Sequence, residues 1–338
     1  MIKQLLNQIV SGNDLSRTQA TELMDLIMDG SATPAQIAAV ITALRMKGET
    51  VDEVAGAAAS MRRHAAFIDA GANTVVDTCG TGGDGRDTFN ISTATAFVAA
   101  GAGLCVAKHG NRAVSSKCGS ADVLKELGVN IAAEPMIMEQ CLQDHGIAFL
   151  FAPTMHPAMK HAIGPRRELG IRTIFNMLGP LTNPAGATGQ VLGVFAPTLT
   201  EMFADALRQL GTRRALIVHG SDGLDEITID GPTRVSELRD GQVKTYELSP
   251  EMALGEEPGD PEDMRGGDIA DNARILMEVL DGKPGGARQV VLLNAAAAIV
   301  AGEKADTLQD GVKLARESID SGAAKAKLEI LIECSNTA

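Results

Sequence analysis

A glycine-rich run, DTCGTGGDGRDTFNIST at positions 77–93, follows a short apolar stretch at 74–76 and leads into a helix-forming stretch ending near Ala102. Such a run constrains the chain to strand, sharp turn and helix, because Gly80, Gly82, Gly83 and Gly85 let backbone N–H groups converge with no Cβ in the way. Asn90, Ser92 and Thr93 are expected to open the helix, whose unpaired N–H groups and positive dipole end favour an anion. A second run, KHGNRAVSSKCGSAD at 108–122, repeats the arrangement after an apolar stretch at 104–107. It adds Lys108, His109, Arg112 and Lys117 among Ser115, Ser116 and Ser120. In a doubly wound sheet the carboxyl ends of the strands share one edge, so both loops are expected to face one crevice. Either loop alone reads equally well as an ordinary βα turn. A turn has no use for clustered cations and hydroxyls, so the pair points to a bound anion.

The chain before Gly71 carries no strand signal. Ile2, Leu5, Leu6, Ile9 and Val10 have helical spacing, and Ser16 with Gln19, Thr33 with Gln36 and Thr50 with Glu53 form three capping boxes. Pro34 stands at a first helical position, and Gly30 and Gly48 end the second and third helices. Apolar faces at 2–10 and 37–44 in so small a bundle predict a homodimer joined through these helices. From position 74, short apolar strands at 74–76, 104–107, 147–151, 191–195 and 215–218 alternate with helices, which predicts an α/β fold with a mostly parallel central sheet. Turns at Asp230–Gly231 and Gly241 precede β-like segments at 233–238 and 243–248, and three helical stretches are expected after Gly267.

With 338 residues, 45% of them hydrophobic, the chain has length and apolar content for a large core. A net charge of −13, aromatics at 3% and no Trp argue against nucleic-acid or anionic-membrane partners. Anionic ligands then require a local basic patch, for which Lys108, His109, Arg112, Lys117, Arg166 and Arg167 are the candidates. Cys79, Cys105, Cys118, Cys141 and Cys334 have no paired or metal-finger spacing, which fits a reducing cytoplasm, and Cys79 and Cys118 read as small buried residues. The N-terminus reads as an amphipathic helix rather than a signal peptide. The most apolar run, 290–301, is interrupted by Asn294 and is too short for a bilayer span.

The segments GTGGDG, NIST, KHGNRAVSS and GSADVL, with GPRRELGIRTIFNMLGPLTNPA at 164–185 and GLDE at 223–226, resemble the anthranilate phosphoribosyltransferases over nearly the whole chain. The resemblance implies a nucleoside-phosphorylase-like phosphoribosyltransferase fold, with a small helical domain at 1–72 plus 165–188 and a large α/β domain at 73–164 plus 189–338. It implies Mg²⁺-dependent transfer of a phosphoribosyl group from phosphoribosyl pyrophosphate to anthranilate in a cytoplasmic homodimer, with two metal ions. The donor would be held by Gly80, Gly82, Gly83, Asp84, Thr88, Asn90, Ile91, Ser92, Thr93, Lys108, Arg112, Ala113, Val114, Ser115, Ser116 and Ser120. Anthranilate would be held by Gly80, His109, Asn111 and Arg166, and metal by Ser92, Asp225 and Glu226.

The residues alone leave several of these roles open. Asp225 and Glu226 read first as a solvated acidic turn, although hard carboxylate oxygens suit Mg²⁺. Arg166 is expected at a helix start, where the dipole disfavours a cation, and its guanidinium fork matches a carboxylate. His109 serves the fold as readily as the reaction. His64, His145, His156, His161 and His219 lack metal spacing, and His156 and His161 receive no role. Met24, Met28, Met136 and Met138 read as core or interface filler. A pyrimidine nucleoside phosphorylase would not need the paired acidic loop. A nucleic-acid-binding relative is disfavoured by the net charge and by the intact Arg166, Asp225 and Glu226.

Overall fold

The computed structural model describes residues 1–71, 74–113 and 117–337. Four helices open the chain: α1 (Ile2–Val10), α2 (Arg17–Met28), α3 (Pro34–Lys47) and α4 (Val51–Arg63). All three capping boxes form, with each side chain closing on the backbone of its partner. Glu53 does more than cap. Its buried carboxylate accepts from the N–H of Thr50 and of Leu15, each at 2.9 Å, and from Lys47 Nζ at 3.0 Å. A buried charge is tolerated only with such partners, and these three tie the start of α4 to the end of α3 and the α1–α2 connection.

The alternating part runs β1 (Val75–Gly80), α5 (Ile91–Gly101), β2 (Cys105–Gly110), α6 (Ser120–Glu126), α7 (Pro135–His145) and β3 (Ile147–Phe151). It continues through α8 (Ala152–Met155), α9 (Lys160–Leu169) and α10 (Phe175–Leu178) to β4 (Gly189–Gly193), α11 (Leu199–Gln209) and β5 (Arg214–Gly220). A hairpin of β6 (Thr233–Arg239) and β7 (Gln242–Leu248) precedes α12 (Pro250–Leu254), α13 (Ile269–Leu280), α14 (Gly286–Ala301), α15 (Leu308–Asp320) and α16 (Ala323–Ser335). The seven strands lie in the order β3-β2-β1-β4-β5-β6-β7, parallel from β3 to β5 and antiparallel at β6 and β7.

Three expectations are corrected. Four helices, not three, follow Gly267, because only Ser321 and left-handed Gly322 separate α15 from α16. Strands β1 and β2 run further than their apolar residues, since pairing continues to Gly80↔Gly193 and Gly110↔Phe151. Gly80, Lys108 and His109 therefore belong to strands rather than loops. Arg166 stands in the last turn of α9, not at a helix start. Pro165 misleads there: it reads as a helix beginning but lies inside the helix.

Successive residues of a strand face opposite sides of the sheet, and the two faces feed two cores. Val191, Leu216, Val218 and Val235 face the layer of α5 and the C-terminal helices. Leu192, Val194, Ala215, Ile217 and Leu238 face α11 and the N-terminal bundle, which share a core with Phe175, Met177 and Leu178 of α10. Met24, Met28 and Met138 are core residues, whereas Met136 is 76% exposed. No helix among the described residues is long and apolar enough to cross a membrane.

Candidate active site

The chain places β2 and β3 on one side of β1 and β4 on the other, so the crevice at the carboxyl ends of β1 and β4 is the topological switch point. Thr81 donates its N–H to Gly193 O at 2.8 Å, and its hydroxyl accepts from Phe195 N at 3.1 Å. The glycine run then turns away, with φ of 66°, 78° and 71° at Gly82, Gly83 and Gly85. Gly82 N donates to Asp225 Oδ2 at 2.7 Å, which joins the glycine loop to the acidic loop beyond β5. That approach requires bare backbone: a Cβ on Gly193 would stand 1.4 Å from the carbonyl oxygen of Asp225.

The acidic loop is electrostatically loaded. Burial, together with the neighbouring Asp84, pushes the half-buried Asp225 carboxyl up to about 7. Burial and the charge of Asp225 push Glu226 well above the usual carboxylate range. The backbone N–H of Ser92 favours the charged form of Glu226, so the first turn of α5 faces a carboxylate, and Asn90 makes no side-chain cap. Beneath lies Lys108, 4% exposed, donating to Thr78 O at 2.8 Å and Ser92 Oγ at 3.2 Å. Burial pulls the Lys108 pKa down, while Asp77, Cys79, Glu226 and Asp225 oppose the shift. The arrangement fits a divalent cation, because Asp84, Asp225 and Glu226 gather hard oxygens that repel one another without one. Among the described residues no three His, Cys, Asp or Glu side chains are grouped so as to hold a metal ion by themselves, so a cation here needs further oxygens from a bound ligand.

Two buried polar residues beside the site lie outside the expected set. Asp77, fully buried, accepts from His109 N at 3.2 Å and Asn183 Nδ2 at 2.8 Å. Asn294, the polar interruption of the apolar run, is fully buried in α14. Its Oδ1 accepts from Ile227 N at 3.0 Å, and its Nδ2 donates to Ile227 O and Val290 O, each at 2.9 Å. Ile227 directly follows Glu226.

The second loop is only partly a basic patch. Lys108 is buried, and burial next to His156 holds His109 down to about 3, so neither is a surface cation. Arg112 and Lys117 are exposed, and Arg112 Nη1 lies 3.9 Å from Asp122 Oδ1. Asp122 Oδ2 also accepts from Ala113 N and Gly119 N, each at 3.0 Å, while Ser120 Oγ donates to Asn111 O at 3.2 Å. Asn111 Oδ1 accepts from Arg112 N at 2.8 Å. Asn90 Nδ2 donates to Cys118 O at 3.2 Å, crosslinking the two loops. Thr88 bridges to Arg265, and Ile91 and Thr93 are buried, so those two can offer a ligand only backbone groups. Val114, Ser115 and Ser116 lie outside the described residues. Cys79 and Cys118 are small buried residues, as their sequence context suggests.

On the other side, His109 Nδ1 lies 3.1 Å from Gly179 O, a partner that only accepts. The neutral ring therefore leaves Nε2 unprotonated, 3.2 Å from His156 Nε2. Burial keeps His156 down to about 4. His156, without a role on sequence spacing, is thus brought to His109 by the fold. Arg166 lies with its guanidinium carbon 5.0 Å from the centroid of Phe175, whose helix leads to Gly179. Among the described residues the Arg166 side chain has no hydrogen bond and no ion pair, which leaves its fork available to a carboxylate. Arg172, in the quoted GIRT stretch, packs 4.3 Å over Phe195 and donates to Gly83 O.

Two family models match: the helical bundle domain of a glycosyl transferase family over residues 3–65, and the a/b domain of that family over residues 72–325. The chain is 60% identical over 334 residues to an anthranilate phosphoribosyltransferase of Desulfosudis oleivorans, covering 98% of each chain. Its structure is similar to the crystal structure of the Thermus thermophilus anthranilate phosphoribosyltransferase, with a TM-score of 0.93 and 41% identity over 98% of this chain and 99% of that one. The Saccharomyces cerevisiae enzyme in complex with PRPP and Mg superposes with a TM-score of 0.89 at 30% identity, covering 100% of this chain and 98% of that one. Matches of this identity and extent show that the chain belongs to the anthranilate phosphoribosyltransferases.

Proposed function

We propose that the crevice between β1 and β4 transfers the 5-phosphoribosyl group of phosphoribosyl pyrophosphate to the amine of anthranilate and releases pyrophosphate. The observation that carries this reading is the junction of the glycine loop and the acidic loop through the Gly82–Asp225 hydrogen bond, with Glu226 facing the Ser92 N–H at the start of α5. Bare N–H groups at Gly83 and Gly85 and the Ser92 hydroxyl, backed by Lys108, receive phosphate oxygens there. Magnesium would be held by Asp225, Glu226 and Ser92 with the oxygens of the donor, and two ions complete the charge balance. When bound, the metal neutralises negative charge on the departing pyrophosphate.

The acceptor amine is a weak base that attacks C1 as the bond to pyrophosphate breaks, so no strong general base is required. The neutral His109, fixed by Gly179 and His156, lines the acceptor side without charge. Arg166, braced on Phe175, takes the anthranilate carboxylate, and Asn111 receives the amine. Catalysis rests on positioning and on charge stabilisation at the leaving group.

The division at 1–72 plus 165–188 is supported by α9 and α10, which pack on α2, α3 and α4. We assign a homodimer and a cytoplasmic setting to the same reading. The face formed by Ile37, Val40, Ile41 and Leu44 is covered by the chain itself. What remains for a partner subunit is α1, with Val10 68% exposed, and the groove lined by Pro34, Ala35, Ala38, Pro165 and Leu169. Light scattering at micromolar concentration tests the dimer, and a monomer removes it. Anthranilate fluorescence tests the activity: protein, Mg²⁺, phosphoribosyl pyrophosphate and anthranilate together should consume the signal. A signal that persists while free phosphate and a nucleoside are turned over would favour a phosphorylase.

A further inference from the structure

An asparagine in the middle of a buried apolar helix needs an explanation. The residues of α14 around position 294 are buried, among them Leu292, Leu293, Ala295 and Ala296, each at most 1% exposed. Burying an amide without partners costs several kcal/mol, and a leucine would pack with no such penalty. Asn294 satisfies its amide almost entirely on one residue of another segment. Its oxygen accepts the N–H of Ile227 at 3.0 Å, and its nitrogen donates to the C=O of Ile227 at 2.9 Å. Pairing both polar groups of one peptide residue fixes its orientation as well as its position, as one ladder step fixes a strand.

The residue so clamped is the first after Glu226, and its own side chain is 1% exposed. One step further back, Asp225 is held by Gly82 N. The acidic loop is therefore hydrogen-bonded to the glycine loop at Asp225, faces the Ser92 N–H of α5 at Glu226, and is clamped on α14 at Ile227. Only the third anchor is independent of the donor-binding loops. It is also the one that resists mutual repulsion between the carboxylates, because neither partner in it is charged. We propose that Asn294 is a positioning residue for metal binding: through Ile227 it sets where the Asp225 and Glu226 carboxylates stand, and so how tightly the site takes a divalent cation together with the phosphorylated donor. This rests on the reading of Asp225 and Glu226 as metal ligands.

The test measures Mn²⁺ binding in the presence of phosphoribosyl pyrophosphate, by titration calorimetry or by the free-Mn²⁺ electron-spin signal, with no acceptor and no turnover. Asn294→Leu keeps the branched heavy-atom skeleton, with bulkier methyl ends, and removes all three hydrogen bonds. Asn294→Ala leaves room for a water at Ile227 and guards against failure of the leucine variant to fold. Loss of a hydrogen-bonded clamp is expected to raise the Mn²⁺ concentration for half-saturation by about fivefold or more. The Mg²⁺ concentration for half-maximal turnover should rise in parallel, with the KM for anthranilate unchanged. A residue that only holds the fold would lower the melting temperature and leave half-saturation unchanged, and that result overturns the proposal. Asp225→Asn with Glu226→Gln runs beside it. If that double variant binds Mn²⁺ as the unaltered protein does, the metal reading itself fails. If it loses the metal while both Asn294 variants keep it, only the role of Asn294 falls.

Discussion

The proposed donor side and the proposed acceptor side of the crevice are built on opposite electrostatic plans. On the donor side Asp84, Asp225 and Glu226 lie near Lys108, and burial, reinforced by the neighbouring carboxylates, drives both Asp225 and Glu226 upward in pKa. On the acceptor side two histidines are buried as neutral rings and Arg166 leans on an aromatic face. One half gathers acidic groups whose charged forms a bound cation would favour. The other is settled before any ligand arrives. Donor binding should therefore depend on metal, whereas acceptor binding should depend on shape and one guanidinium.

The largest effect expected from this contrast is on turnover. Asp225→Asn with Glu226→Gln should lower kcat by about 1,000-fold, the scale of losing preorganised charge stabilisation. Raising Mg²⁺ should restore part of it. Normal turnover at low Mg²⁺ in the double variant would reduce the GLDE loop to a solvated turn and erase the contrast.

The histidines give the acceptor side its own signature in stability. Both are held below the ordinary value of 6.5, His109 to about 3 and His156 to about 4. Below pH 6.5 the unfolded chain takes up protons that the folded chain refuses. Their contribution is thus complete above pH 6.5 and is lost as pH falls toward 4 and then 3, by about 1.4 kcal/mol per pH unit for each ring. Urea unfolding of His109→Gln with His156→Gln should show a shallower loss between pH 6.5 and 4.5. An unchanged slope would place the acid sensitivity elsewhere.

Arg166→Ala should raise the KM for anthranilate about tenfold, roughly 1.4 kcal/mol for a lost charge-assisted pair, with the donor KM nearly unchanged. Equal damage to both substrates would assign Arg166 to the fold or the phosphates. The smallest effect belongs to its brace. Phe175→Leu should raise the same KM about two- to fivefold, the range of a cation–π contact of about 0.5–1 kcal/mol. A larger effect of Phe175→Leu than of Arg166→Ala would show that the ring itself meets the substrate.

Much of this architecture is legible in the sequence because it is local. A capping box places two side chains three residues apart, and all three form as the spacing demands. The positive φ of Gly82, Gly83 and Gly85 follows equally from chain-local sterics. What escapes is set by distant segments. Lys108 and His109 look like loop residues until pairing with β3 extends β2 past its apolar core. His156 has no helical spacing to His109, and only the approach of α8 to β2 brings the rings to 5.0 Å. Asn294 lies 67 positions from Ile227, and a lone polar residue in an apolar run does not name its partner. Arg166 is obscured for a different reason, since Pro165 signals a helix start that the fold overrides.

The absent side chain at Gly193 also has a genetic consequence. Every other amino acid carries a Cβ, and at Gly193 that atom would collide with backbone, which cannot rotate out of the way. At Gly85 nothing lies within 4 Å, and only the φ of 71° selects against side chains. In a library of all single substitutions scored by consumption of anthranilate, position 193 should therefore admit glycine alone, whereas position 85 should admit Asn and Asp, the residues that best adopt a left-handed backbone. Two glycines that look alike in the sequence would be inherited under different rules.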